Sequence, residues 1–208
     1  MKEAFIGFIG VIVGSMLSWL QSWYSAKKEH EKNAHYLAIR VVIALRQYIY
    51  KCWLVSVDDG LNLGQRAKDG CLVPQAKDPG PIVYPEDIDW KSIDPKIAYK
   101  LLSLQPLAES ADRAISTAIE FSDGPPDYEN IFEERYLQYC QIGLEVIKLE
   151  NEICKIYNIP IDNSENWNPK ESFAETLKKV ESNQMRKAES RKKLFDETSC
   201  NVKFKDKT

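Results

Sequence analysis

The stretch GVIVGSMLSWLQS, residues 10–22, decides how the N-terminal part of this chain is interpreted. It is apolar, yet a small residue occurs at every fourth position: Gly10, Gly14, Ser18 and Ser22. It lies within a longer segment, Ala4–Tyr24, that contains no charged residue. At about 1.5 Å per residue a helix of that length reaches ~30 Å, the thickness of a hydrocarbon core. The sequence therefore predicts one transmembrane helix in residues 1–25.

The C-terminal end of this segment has the composition of a membrane–water interface. Aromatic rings and then lysines gather there, as interface anchors do: Trp19, Trp23, Tyr24, Lys27 and Lys28. A cleaved signal peptide would need small residues at two positions, one apart, near this point. Each candidate pair has an aromatic residue at one of its two positions, so we expect the segment to remain as an anchor.

The distribution of basic residues predicts the orientation of this anchor. Lys2 is the only basic residue before the segment, whereas Lys27, Lys28, Lys32 and Arg40 follow it closely. Lysine and arginine collect on the cytoplasmic side of membrane helices. We therefore expect a protein of the inner (cytoplasmic) membrane, with its N-terminus outside and its C-terminal domain in the cytoplasm.

The small residues of the segment share one side of the predicted helix. At 100° per residue they fall in an arc of about 140°, and Val11 is the one large apolar residue among them. The set comprises Gly7, Gly10, Gly14, Ser15, Ser18, Gln21 and Ser22. Such a face lets helices of several copies approach closely, or it lines a narrow pore in a ring of copies. A third interpretation is that glycine and serine are simply common in membrane helices. The bilayer and further copies of the chain are thus the expected partners.

The helix is predicted to continue beyond the membrane, because neither glycine nor proline occurs between Ser15 and Asp59. One apolar stripe with helical spacing includes Leu37, Val41 and Leu45. The other side of the helix carries a second set of apolar residues: Ile39, Ile43, Tyr50 and Trp53. A helix that is apolar on two sides is expected to be buried between neighbours.

The remainder of the chain predicts an all-α fold, an antiparallel bundle of about four helices. Turn residues are dense in 60–93, which predicts a long irregular loop. Asp94 and Asn168, each followed by proline, are typical helix starts, and Pro106 is expected to break or kink a helix. The predicted organisation is an anchor (1–25), a cytoplasmic bundle (26–160), a charged helix (161–195) and a flexible tail (196–208).

Charge is distributed unevenly in a chain whose net charge is −3. Residues 120–152 contain nine acidic and two basic residues, whereas residues 175–208 contain ten basic and six acidic ones. The basic residues of the last helix form a candidate face for an unidentified cytoplasmic protein partner: Lys178, Lys179, Arg186, Lys187, Arg191, Lys192 and Lys193. No aromatic residues interleave them, which argues against nucleic acid as the partner.

No catalytic motif occurs in the sequence. Phosphate-binding glycine patterns and the Gly-x-Ser-x-Gly elbow are absent. Two histidines and five scattered cysteines give no metal-ligand spacing, and the cysteines are expected to be free thiols. We therefore predict no enzyme, cofactor or metal site. The sequence favours a self-associating, membrane-anchored interaction or signalling module. The alternative is a pore-forming or membrane-depolarising effector of a bacterial defence or toxin-like system.

Overall fold

The computed structural model describes the backbone of residues 2–122, 128–161 and 167–205, and the side chains of residues 13–122, 128–161 and 167–193. Its four helices are α1 (Lys2–Ser56), α2 (Pro95–Glu120), α3 (Glu129–Ile156) and α4 (Pro169–Lys205). The described backbone contains no strand, only an isolated bridge between Asn62 and Gln65. The prediction of an all-α fold with four helices is confirmed.

The core forms around α3, which packs against each of the other three helices. From α1 it receives buried side chains at helical spacing, among them Val41, Leu45 and Cys52. Helix α2 adds buried side chains to the same core, among them Ile97, Leu101 and Ile115. Phe173 of α4 lies over Gly143 of α3, where an added Cβ would stand 2.5 Å from the Phe173 ring. The absence of a side chain at position 143 thus lets α4 pack closely on α3.

The helix starts follow the predicted capping chemistry. The carboxylate of Asp94 accepts hydrogen bonds from the backbone N–H groups of Lys96 (2.8 Å) and Ile97 (3.3 Å). Asn168 accepts one from the backbone N–H of Glu171 at 3.3 Å. Such bonds satisfy donors that have no partner within the helix.

Two helices run further than the sequence pattern suggested. Helix α2 passes through Pro106 without ending. A proline at this position has no N–H to donate to the carbonyl of Leu102 in the preceding turn. Because Leu102 is exposed, water can satisfy that carbonyl instead. Helix α4 continues past the expected end near residue 195 to Lys205, since no glycine or proline interrupts it.

The predicted membrane segment lies partly outside the described side chains, because nothing is described of the side chains of residues 4–12. Over the part of the chain that the structure describes, we find no helix with both the length and the apolar character needed to span a membrane.

Candidate interaction surfaces

Helix α1 divides into a projecting half and a packed half. Every residue from 13 to 33 is exposed, and burial begins at Ala34. The projecting half (residues 13–33) carries a run of exposed large apolar side chains: Val13, Met16, Leu17, Trp19, Leu20, Trp23 and Tyr24. Exposed apolar surface of this extent marks a site that a membrane or a protein partner covers. Lys27 ends the run, with its Nζ 5.7 Å from the centroid of the Trp23 ring, while Lys28 follows and is exposed.

The predicted small-residue face lies on this projecting half. Ser15, Ser18, Gln21 and Ser22 are all exposed. A Cβ added at Gly14 would meet nothing within 4 Å, so packing within the described chain does not require a glycine at this position. Gly7 and Gly10 lie outside the residues whose surroundings are described. The structure therefore leaves the described part of this face uncovered.

The packed half of α1 (residues 34–56) corrects one expectation. The sequence predicted burial on both sides, but Ile43 and Tyr50 are 50% and 48% exposed, and Tyr36 is 63% exposed. The other helices cover only the opposite side, which carries Val41, Leu45 and Cys52. The prediction was wrong for Ile43 and Tyr50 because the described helices leave them exposed, although the Trp167 ring lies beside Tyr50 with its centroid 6.2 Å away. We call Tyr36, Ile43 and Tyr50 the outer stripe.

An aromatic groove lies beside the outer stripe. The ring centroids of Tyr50 and Trp53 are 5.8 Å apart, and Trp167 stands edge-on to Trp53 at 6.3 Å. Tyr50 and Trp167, together with Lys51 and Leu54, border a groove of about 500 Å³. The indole Nε1 of Trp167 is buried with no hydrogen-bond partner among the described residues. The groove is thus a second uncovered apolar feature on the same side of α1.

The predicted basic face of α4 is only partly a free surface. Six of its seven residues are exposed: Lys178, Lys179, Arg186, Arg191, Lys192 and Lys193. At 100° per residue, five of these six fall within an arc of about 140°, and Arg191 lies about 100° or more from all of them. The exposed basic residues therefore share one side of α4, except for Arg191.

Lys187, the seventh residue, is turned inward toward α3. Its Nζ lies 3.0 Å from carboxylate oxygens of both Glu129 and Glu133 and 3.3 Å from Oδ1 of Asn130. Burial lowers the pKa of Lys187, but the hydrogen bonds to the two glutamates outweigh it and raise the pKa above its ordinary value. Lys187 therefore holds α4 on α3.

An arginine clamp ties the long loop to the helices. Arg135 of α3 is 2% exposed. Its Nη1 lies 3.1 Å from Oδ2 of Asp58, its Nε donates to Asp78 at 2.9 Å, and its Nη2 donates to the carbonyl of Ala76 at 2.7 Å. Tyr136 donates its hydroxyl to the carbonyl of Asp58. The clamp thereby fixes residues 58–78 against the end of α1.

Asp58 is stabilised in its charged form within this clamp. Burial raises the pKa of its carboxyl, but hydrogen bonds from the backbone N–H groups of Ala76, Gln75 and Gly60 and from Arg135 hold the pKa below its usual range. Sequence analysis did not single out Arg135. The available signal was the spacing of Phe132, Arg135 and Tyr139, which places an arginine on the apolar side of α3.

The described residues offer little reactive chemistry. Burial raises the pKa of the Cys140 thiol to about 12 and that of Cys52 further, so both are protonated and inert. Within 13–122, 128–161 and 167–193 no three His, Cys, Asp or Glu side chains are grouped so that they could hold a metal ion.

Comparison with protein families, with curated proteins and with solved structures finds no significant match to this chain. Its function is therefore inferred from the chemistry of the surfaces described above.

Proposed function

We propose that this protein is a membrane-anchored, self-associating helical protein that works as an interaction or signalling module without catalysis of its own. The observation that carries the proposal is the projecting half of α1, whose large apolar side chains are left uncovered by the rest of the described chain. Together with the uncharged residues 4–12 they form one continuous apolar segment. Removing such surface from water contributes roughly 25 cal/mol per Å², which favours insertion into lipid.

In the proposed arrangement the N-terminus lies outside the inner membrane and the bundle lies in the cytoplasm. Trp23 and Lys27 stack at the point where the apolar run ends, as expected for a headgroup boundary. The bundle then presents the exposed lysines and arginines of α4 to an acidic cytoplasmic protein. The small-residue face brings the membrane helices of several copies together.

Membrane fractionation of the full chain tests the anchor. Leu17→Glu combined with Leu20→Glu is expected to move the protein from the membrane pellet to the supernatant after an alkaline wash. A charged residue at the centre of a membrane helix costs a few kcal/mol. The matched control, Leu102→Glu with Met185→Glu, changes two exposed apolar residues outside α1 and should stay in the pellet. Wild-type protein in the supernatant would overturn the proposal.

The mass of the full chain in mild detergent tests self-association. Gly14→Leu is expected to reduce the oligomer to a monomer, since helices can no longer approach closely at that face. The change does not disturb the fold, because the space around Gly14 is open. Met16→Leu, on the opposite side of the helix, is the control. A monomeric wild type would overturn the proposed self-association, and the membrane helix would then be a simple anchor.

A pore is the second candidate function. The exposed polar side chains of Ser15, Ser18, Gln21 and Ser22 favour it, since they lie on one side of the projecting half. A closed ring of six or more copies, with dye leakage from cells after induction, would support a membrane-depolarising effector of a bacterial defence or toxin-like system. Unchanged permeability would count against it.

A further inference from the structure

The outer stripe has a spacing that points to its occupant. Tyr36, Ile43 and Tyr50 are each seven residues apart on an uninterrupted helix, and Val57, also exposed, extends the series just past the end of α1. A seven-residue repeat places one exposed apolar side chain of each heptad on the same side of the helix, and in a parallel, left-handed coiled coil such residues face their counterparts in the partner helix.

The outer stripe and the small-residue face lie on the same side of α1. At 100° per residue the three stripe residues fall within about 40° of one another, and Gly14 and Ser18 fall in that same sector. Val41, Leu45 and Cys52, which face the core, lie about 140° or more from Ile43. One uncovered face therefore runs along α1 from the anchor to the loop.

We propose that a second copy of this chain packs against the outer stripe, parallel and in register, so that α1 forms a two-stranded coil outside the membrane as well as within it. The parallel direction rests on the proposed function, because a shared membrane makes both helices leave it on the same side. In register, each stripe residue meets its own counterpart.

The charges beside the stripe permit this approach. Arg40 is paired with Asp87, with its Nη1 3.0 Å from Oδ2, and Arg46 is paired with Glu150 at 2.7 Å. Both arginines flank the stripe, and both are neutralised within their own chain. Lys32, which is exposed, lies about 20° from Ile43 on the same face, and its flexible stem can carry the ammonium to solvent. Two copies can therefore meet without bringing unpaired arginines together, an arrangement that like-charge repulsion would oppose.

The area of the stripe also fits a shared interface. Its three side chains and Val57 are each about half exposed or more, and together they offer on the order of 400 Å² of apolar surface. A stable interface takes about 800 Å² from each partner. The stripe offers about half of that area, and the small-residue face continues the contact on the same side of α1.

Cysteine cross-linking of the full chain in membranes tests this proposal. The background carries Cys71→Ser and Cys200→Ser, and the remaining cysteines, Cys52, Cys140 and Cys154, are buried. Ile43→Cys, oxidised with copper phenanthroline, is expected to give on the order of tenfold more cross-linked dimer than Tyr99→Cys, because a disulfide requires Cα atoms within about 7 Å. Tyr99 is an exposed control on α2.

Ser18→Cys, tested in parallel, separates this proposal from the one it rests on. Cross-linking at both 18 and 43 supports a continuous coil. Cross-linking at 18 alone means that copies meet only at the membrane end, and it overturns the outer-stripe contact while self-association stands. Cross-linking at 43 alone supports the stripe and rejects the small-residue contact. No cross-linking at either position, as expected if a different protein covers the stripe, overturns both.

Discussion

The two halves of α1 are one unbroken helix in two environments. In the packed half, Val41, Leu45 and Cys52 are fully buried, whereas in the projecting half Met16, Leu17 and their apolar neighbours are exposed. A helix gains most of its stability from burying one face, so the packed half contributes to folding. The described side chains of the projecting half contribute nothing to the core, and in the proposed function they contact lipid and further copies of the chain. Substitutions should therefore affect folding in one half and association in the other.

The largest effect is expected where the packed half ends, at the arginine clamp. Arg135→Met should lower the free energy of unfolding by about 3–5 kcal/mol, because it leaves the buried Asp58 without its counter-charge. Urea unfolding followed by circular dichroism measures this. Arg113→Met, an exposed position on α2, is the control and should change little. If the two variants were equally stable, the end of α1 would not depend on the clamp.

A matched pair of leucines compares the two halves directly. Leu45→Ala should cost about 2–5 kcal/mol, since it leaves a cavity in the core. Leu20→Ala, in the projecting half, should change the free energy of unfolding by less than about 0.5 kcal/mol. Leu45 is 0% and Leu20 is 48% exposed. Equal losses would mean that the projecting half is folded against something in the monomer, and the contrast between the halves would fail.

The stability of the clamp should depend on pH. Because the pKa of Asp58 is lowered in the folded protein, its charge stabilises the fold above about pH 4, the ordinary range of an aspartate. That contribution is lost as the pH falls through the folded pKa. The slope of unfolding free energy against pH, measured from pH 5 to pH 3, should be shallower in Asp58→Asn than in wild type. Parallel slopes would show that Asp58 does not titrate in the clamp.

The smallest effect concerns a hydroxyl in the packed half. The Tyr48 hydroxyl is buried and has no hydrogen-bond partner among the described residues. Tyr48→Phe should therefore leave the free energy of unfolding unchanged or raise it by up to about 1 kcal/mol. Tyr139→Phe, which removes the donor to Asp112 at 2.8 Å, should instead lower it by about 1 kcal/mol. Thermal unfolding of both variants would reveal the difference in sign.

Local patterns in the sequence were enough to predict the elements that depend on neighbouring residues. The helix starts at Asp94 and Asn168 and the irregular loop follow from local capping and turn chemistry. The apolar run and the small-residue face near the N-terminus could also be predicted, because helical periodicity alone shows which residues share one side of a helix.

The packing of the helices, by contrast, was needed to show which apolar side of α1 is covered. Both sides of its packed half carry large apolar residues, and sequence alone could not show that α3 and α4 cover one and leave Ile43 and Tyr50 outside. The pairing of Arg135 with Asp58 and the inward turn of Lys187 were hidden for the same reason. Each depends on residues more than fifty positions apart, and such contacts arise from how helices pack, which no local pattern encodes.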